Sequence, residues 1–171
     1  IENHKNIFIP NNVEWIPPGF RSVKNNKLNI TKNYSDKLIV FGFLARFHEV
    51  KNFKFLFDSF NKIFCNDKYK NIKLIIGGSN VSSKNSEFLS LLNNYSFIKN
   101  SNFKIMEDIV DIETFFSNIN FFIMTSKSEG FPNSIGEAMS YSVPCISSDV
   151  GDVRSLINDK QLIFDLNSKE N

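Results

Sequence analysis

The sequence predicts an α/β fold, a Rossmann-like doubly wound parallel sheet of about six strands with helices on both faces. The main observation is alternation: short β-rich apolar runs trade places with segments of helical period about six times along the chain. The second is size and make-up. At 171 residues, with 42% hydrophobic and 22% charged, the chain reads as one globular domain with a single sizeable core. The third is that glycine-bearing and polar loops follow the apolar runs, where doubly wound sheets bind ligands.

Residues 1–36 carry Pro10, Pro17 and Pro18 among many Asn and Lys, without a sustained period. They are expected to form a lead-in segment with a short strand at Asn6–Ile9, and residues 37–171 the domain proper. Leu38–Phe43 is the first strand of that domain. In Asn52–Phe64 the positions Phe53, Leu56, Phe57, Phe60 and Phe64 recur at helical spacing. Ile72–Ile76 is a strand closed by Gly77-Gly78, and Ser86–Tyr95 a helix through Phe88, Leu91 and Leu92. Then come a strand at Phe103–Met106, a helix at Ile109–Ser117 and a strand at Asn120–Thr125. Helix Asn133–Tyr141, strand Val143–Ser147, short helix Val153–Asn158 and strand Gln161–Phe164 complete the series.

Composition excludes several classes. A net charge of +2 does not call for a nucleic acid or a membrane surface as partner. Cys65 and Cys145 have apolar neighbours in sequence and no CxxC companion, so a disulfide framework is not expected and a cytosolic setting is. His4 and His48 form no cluster with metal-ligand spacing. No apolar run reaches the roughly 18 residues that span a bilayer, and no signal peptide is visible. The chain starts at Ile1, which suggests a piece of something longer. Its 19 Phe, with abundant Asn, Lys and Ile, have the flavour of an AT-rich genome.

Three strand-end loops carry groups suited to an anionic ligand. Arg46 and Lys51 bracket the loop that enters the first helix. A guanidinium fork plus an ammonium near a helix start suits a diphosphate, and a pair of solvated surface cations satisfies the same pattern. Gly77-Gly78 permits close approach of backbone to a ligand, or makes an ordinary tight turn. The third loop, Ser126 to Met139, is the most informative. Pro132 suits the first turn of a helix, leaving amides around Phe131, Asn133 and Ser134 to face an anion. Glu129 before the helix and Glu137 just inside it flank those amides. Equally, Glu137 fits a first-turn acid on the helix dipole and Glu129 a surface charge. Asp149, Asp152 and Arg154 either line the same cleft or, as the favoured reading, cap the short helix.

The string EGFPNSIGEAM, followed by VPCISSDVGDV, resembles the large family-4 group of retaining GT-B glycosyltransferases. Phe8-Ile9-Pro10-Asn11-Asn12-Val13-Glu14 resembles the segment leading into that family's C-terminal domain. Phe41-Gly42 through Arg46, then Lys51-Asn52, resembles another of its elements, and Gly77, Gly78 and Ser126 fall where the family has them. The resemblance implies the C-terminal, donor-binding half of a GT-B fold. It implies that Arg46 and Lys51 neutralise a diphosphate and that Gly130, Phe131, Pro132, Asn133 and Ser134 hold the distal phosphate and sugar. Glu137 would then accept from ribose hydroxyls, Glu129 would sit near the transferred sugar, and Met106 would lie near the base.

There are departures: Asn12 and Ser142 replace glycines, Asn120 replaces an aspartate, and Arg154-Ser155 stands where a glutamate is usual. The implied substrate is a UDP- or GDP-linked sugar, with no cofactor and no metal. The implied acceptor is a glycan or lipid-linked glycan held mainly by an N-terminal domain that this chain does not contain. The same reading expects residues 37–171 to stop before the usual closing helices and the isolated half to transfer nothing. Bacterial polysaccharide assembly is the implied setting, cytoplasmic or peripheral on the inner face of the membrane. The rival readings are a GT-B-fold nucleotide-sugar epimerase or phosphorylase, and a non-catalytic nucleotide-binding module.

Overall fold

A computed structural model describes residues 19–20, 38–99, 101–107, 109 and 111–168. The strand expected at Asn6–Ile9, and most of the lead-in, lie outside these residues. Six parallel strands form one sheet: β1 (Ile39–Leu44), β2 (Ile72–Gly77), β3 (Phe103–Met106), β4 (Phe121–Met124), β5 (Cys145–Ser148) and β6 (Ile163–Phe164). Their order is β3-β2-β1-β4-β5-β6. The chain therefore builds outward from β1 in one direction, crosses back, and builds outward from β4 in the other. The expected α/β doubly wound sheet is present, and its topological switch point lies between β1 and β4.

The helices are α1 (Phe53–Phe64), α2 (Ser86–Leu92), α3 (Ile112–Phe116), α4 (Asn133–Ser140) and α5 (Val153–Leu156). Side-chain alternation along the strands feeds two cores. Leu74 and Ile76 enter a layer with α1 and α2, whereas Ile75 between them enters the layer with α3, α4 and α5. The first layer is strongly aromatic. Phe43 and Phe53 meet edge to face with centroids 4.9 Å apart, and Phe57 meets Tyr95 in the same way at 5.4 Å. Each buried ring contributes about 1.5–3 kcal/mol from its area alone. The phenylalanine excess is thus absorbed largely by packing.

Several element ends differ from the sequence expectation for local reasons. Helix α3 starts at Ile112, because the Asp111 carboxylate accepts from the amides of Glu113 and Thr114 and fixes the start there. Ile109 is left to pack over Gly77, where a Cβ would collide with it. Strand β5 starts at Cys145, after a turn in which Ser142 holds φ +60°. Only Ile163–Phe164 of the last expected strand pairs with the sheet, since Asp159 caps a 3-10 turn over Lys160–Leu162.

Cys65 also departs from expectation: it ends α1 and is exposed, while Cys145 is buried, and both are free thiols. Asn120 joins the central strands at their entrance. Its side-chain Oδ1 accepts from the Val40 amide at 2.8 Å, and its own amide donates to the Val40 carbonyl. Among the described residues, no helix is long and apolar enough to cross a membrane.

Candidate functional site at the strand switch point

The site is built where β1 and β4 end side by side. After β1 the chain runs along the next loop: the Ala45 amide donates to Gly77 O at 3.0 Å and the Phe47 amide to Ser79 O at 2.8 Å. Gly78, at φ +129°, lies so close that a Cβ would strike the Ala45 carbonyl oxygen. The paired glycines therefore serve contact between two loops of the protein itself, which is a use the sequence alone does not separate from ligand contact.

A 3-10 turn over Glu49–Lys51 follows, and Asn52 at φ +55° turns the chain into α1. The loop after β4 pins this turn. Thr125 Oγ1 donates to the carbonyls of Lys51 and Asn52 at 3.1 and 3.3 Å, and the Lys127 amide donates to Val50 O at 2.7 Å. A 3.0 Å ion pair between Lys127 and Glu49 adds to the clasp. Thr125 is fully buried, so its hydroxyl has a strong need for those acceptors.

The consequence is a three-residue cluster. Lys51 Nζ lies 2.5 Å from Glu129 Oε1, and Ser126 Oγ donates to the same oxygen at 2.6 Å. The Glu129 side chain is 14% exposed and that of Lys51 27%, so the pair is partly shielded from water. Ser126 is itself 1% exposed, and Ser148 Oγ at the end of β5 donates to its carbonyl at 2.7 Å. From the other side Gly151, at φ +53°, lets the next loop lie against the Glu129 and Gly130 carbonyls, and the Asp152 amide donates to Gly130 O at 3.1 Å. Glu129 is held by three strand ends at once.

Helix α4 begins at Asn133, as its period indicates, with Pro132 in the N-cap position and not in the first turn. The Asn133 amide turns back to Phe131 O at 3.0 Å, so it does not face outward as anticipated. Glu137 sits one turn into α4, half-buried, its carboxyl without a hydrogen-bonding partner among the described residues, and burial pushes that carboxyl above the usual range. Arg46 is exposed on the β1 loop and has no ion-pair partner among the described residues. Met106 ends β3, two strands from β1, hence about 10 Å away at normal strand spacing. Its place is at the periphery of the cluster.

Asp149 and Arg154 do not cap α5. The Arg154 guanidinium donates through Nε at 2.8 Å and through Nη2 to the two oxygens of Asp149, and this hydrogen bonding holds the Asp149 carboxyl below its usual range. Asp152 occupies the N-cap position of α5 without a side-chain capping bond. Capping needs a carboxylate aimed at the free amides, and here the turn directs the Asp152 amide to Gly130 instead.

Sequence reasoning passed over Thr125 and Ser148. The available signal was a Thr-Ser pair ending an apolar strand, where buried hydroxyls require partners. Among the described residues, no three His, Cys, Asp or Glu side chains converge.

Fold and site together define a Rossmann-like α/β domain with cationic and carboxylate side chains gathered at its switch point. Residues 39–170 match the family model "Glycosyl transferases group 1", and the chain belongs to that family. It is 32% identical over 138 residues to the Staphylococcus aureus capsular polysaccharide biosynthesis glycosyltransferase CapM, covering 78% of this chain and 34% of the relative. An uncharacterized glycosyltransferase of Methanocaldococcus jannaschii is 32% identical over 119 residues, covering 69% of this chain and 28% of the relative. The chain thus spans about a third of the length of these relatives.

Among solved structures, TarM superposes with a TM-score of 0.64 over 87% of this chain and 28% of its own, at 16% identity. Anabaena HepE, solved in complex with UDP-glucose, gives 0.62 over 78% of this chain and 36% of its own, also at 16% identity. These likenesses establish the GT-B type of Rossmann-like fold.

Proposed function

We propose that this chain is the donor-binding domain of a retaining, metal-independent glycosyltransferase. It takes a UDP- or GDP-linked sugar and delivers the sugar to a glycan or lipid-linked glycan held mainly by a second, N-terminal domain. The observation that carries this reading is the cluster of Lys51, Ser126 and Glu129 at the switch point, with Arg46 exposed on the same loop as Lys51 and without an ion-pair partner among the described residues.

The chemistry follows from those groups. Cleaving a sugar–phosphate bond leaves negative charge on the departing diphosphate and positive character on the anomeric carbon. Arg46 offers five N–H donors in a planar fork for the diphosphate. Lys51 has three donors, of which Glu129 takes one, so the others remain for a phosphate oxygen. Groups held in place before the reaction stabilise developing charge without reorganising, and Glu129 is held by Lys51 and Ser126. Its carboxylate then orients the transferred sugar and faces the positive carbon. Gly130, Phe131, Pro132 and Ser134 bound the distal phosphate and sugar, with Asn133 contributing its side chain. Glu137, half-buried and without a partner among the described residues, suits the hydroxyls of a ribose. Met106 lies toward the base.

HepE was solved with UDP-glucose, and CapM is named for capsular polysaccharide biosynthesis. By this analogy the whole enzyme acts in surface-polysaccharide assembly, in the cytoplasm or peripherally on the inner face of the membrane. This chain alone binds the donor and transfers nothing.

Isothermal titration with UDP, GDP, ADP and CMP, in the presence of a chelator, tests the reading. Selective binding of one diphosphate, lost in Glu137→Ala, is expected. Binding that requires added metal would overturn the metal-independent assignment. Proton NMR of the anomeric linkage made by the full-length enzyme tests retention, and an inverted linkage would refute it.

A further inference from the structure

Phe20 is one of the two lead-in residues that the structure describes, and it touches both Phe131 before α4 and Gly136 within it. Its ring stacks on Phe131 with centroids 6.0 Å apart and planes 16° from parallel. It also fills a notch in α4: Gly136 is buried, and a Cβ there would collide with three carbons of the Phe20 ring. Phe131 and Gly136 flank Pro132, Asn133 and Ser134, so one aromatic side chain touches the loop before the helix and the first turn within it. Both contacts are with residues remote in sequence, and Phe20 belongs to neither of the two principal cores. Gly136 needs no positive φ, so the reason on view for a glycine there is the room it leaves for that ring.

We infer that Phe20 is a positioning residue for donor binding. Seated on Gly136 and stacked on Phe131, it holds the loop from Glu129 to Pro132 against the start of α4. This rests on the assignment of that loop to the donor's phosphate and sugar. The aromatic contact limits the excursions of a loop that must meet phosphate oxygens within hydrogen-bond tolerance, and a misplacement of about 1 Å in such a site reduces function by as much as 100-fold. Phe20 thereby takes part in the donor site without touching the donor.

The test is a cycle of Phe20→Ala, Gly136→Ala and the double variant, with Phe20→Leu as the conservative replacement. Two readouts are taken on the whole chain: amide hydrogen exchange of residues 129–137 without ligand, and affinity for UDP and GDP. Phe20→Ala is expected to speed exchange in that loop and weaken diphosphate binding about tenfold, with Phe20→Leu recovering part of both. Gly136→Ala should do the same by evicting the ring, and should add little in the Phe20→Ala background. Unchanged exchange and affinity in Phe20→Ala, or additive effects in the double variant, would overturn the positioning role. Faster exchange with no diphosphate bound by the unmodified chain would leave the loop-holding contact in place and remove the donor assignment.

Discussion

Lys51 and Glu129 stand 78 positions apart in the chain, yet the lysine ammonium lies 2.5 Å from Glu129 Oε1. The two residues sit on the loops that follow β1 and β4, and those strands are neighbours only because strand order reverses between them. Thr125 clamps the Lys51 backbone and Ser126 binds the same carboxylate oxygen, so the pair is fixed from both sides.

Removing the ammonium should therefore be felt in stability as well as in binding. Lys51→Met leaves a mostly shielded carboxylate with Ser126 as its remaining donor, at a cost of about 1–3 kcal/mol. For a domain of this size that corresponds to a fall in Tm of roughly 2–10 °C. Thermal unfolding followed by circular dichroism checks it. Adding Glu129→Gln should restore part of the loss, and strictly additive losses would show that the two side chains are not coupled.

Glu137 sets a pH dependence of defined sign. Burial raises its carboxyl above the usual carboxylate range, so folding favours the protonated form. Its contribution to stability is complete below the unfolded value and is lost as pH rises through the folded one. At neutral pH the ionised group is a liability that a ligand's hydroxyls would relieve. Glu137→Gln is expected to raise Tm at pH 7, to have little effect on stability near pH 4, and to weaken diphosphate binding. Urea denaturation at the two pH values gives the comparison, and equal effects at both would contradict it.

Ser142 carries φ +60° in the turn before β5. A side chain in the left-handed region costs about 1–2 kcal/mol, partly offset by the extra unfolded-state entropy of glycine. Ser142→Gly should accordingly raise Tm by roughly 1–4 °C. Differential scanning calorimetry would reveal the shift, and a lower Tm would mean the serine side chain supplies something beyond its backbone.

Gly78 should tolerate no side chain. Its φ of +129° and its approach to the Ala45 carbonyl oxygen combine backbone strain with a clash against main chain. Gly78→Ala is expected to destabilise by roughly 3 kcal/mol or more, because neither loop can yield without breaking the Ala45 and Phe47 hydrogen bonds. Chemical denaturation measures this directly, and a loss below about 1 kcal/mol would mean the loops separate easily.

The two cysteines should differ sharply in reactivity. Burial pushes the Cys145 thiol up to about 12, whereas Cys65 is exposed. A thiol reagent at pH 8 is expected to label Cys65 rapidly and Cys145 only on unfolding. Peptide mapping after short labelling distinguishes them.

Most of the architecture was legible in the sequence because it depends on local period. Phe53, Leu56, Phe57 and Phe60 announce a helix by their spacing, and Ile72–Ile76, apolar but for Lys73, announces a largely buried strand. Element ends were less legible where a capping side chain competes with the period, as Asp111 does at α3 and Asp159 at β6. Within the site, Arg46, Lys51, Glu129 and Glu137 stood out by residue type and place in the loops. The resemblance gave Lys51 and Glu129 different tasks, and only the fold joins them.

What the sequence determined by itself was the order of strands and helices, the apolar face of each, and which loops carry charge. These follow from side-chain period and backbone preference over a few residues. Tertiary structure decided that Gly78 makes room for Ala45, that Gly136 makes room for Phe20, and that Asp149 binds Arg154. It also decided that Thr125 and Ser126 lock Lys51 onto Glu129. Such contacts depend on which strand lies beside which, and strand order is set by packing the whole sheet, so no short stretch of chain encodes them.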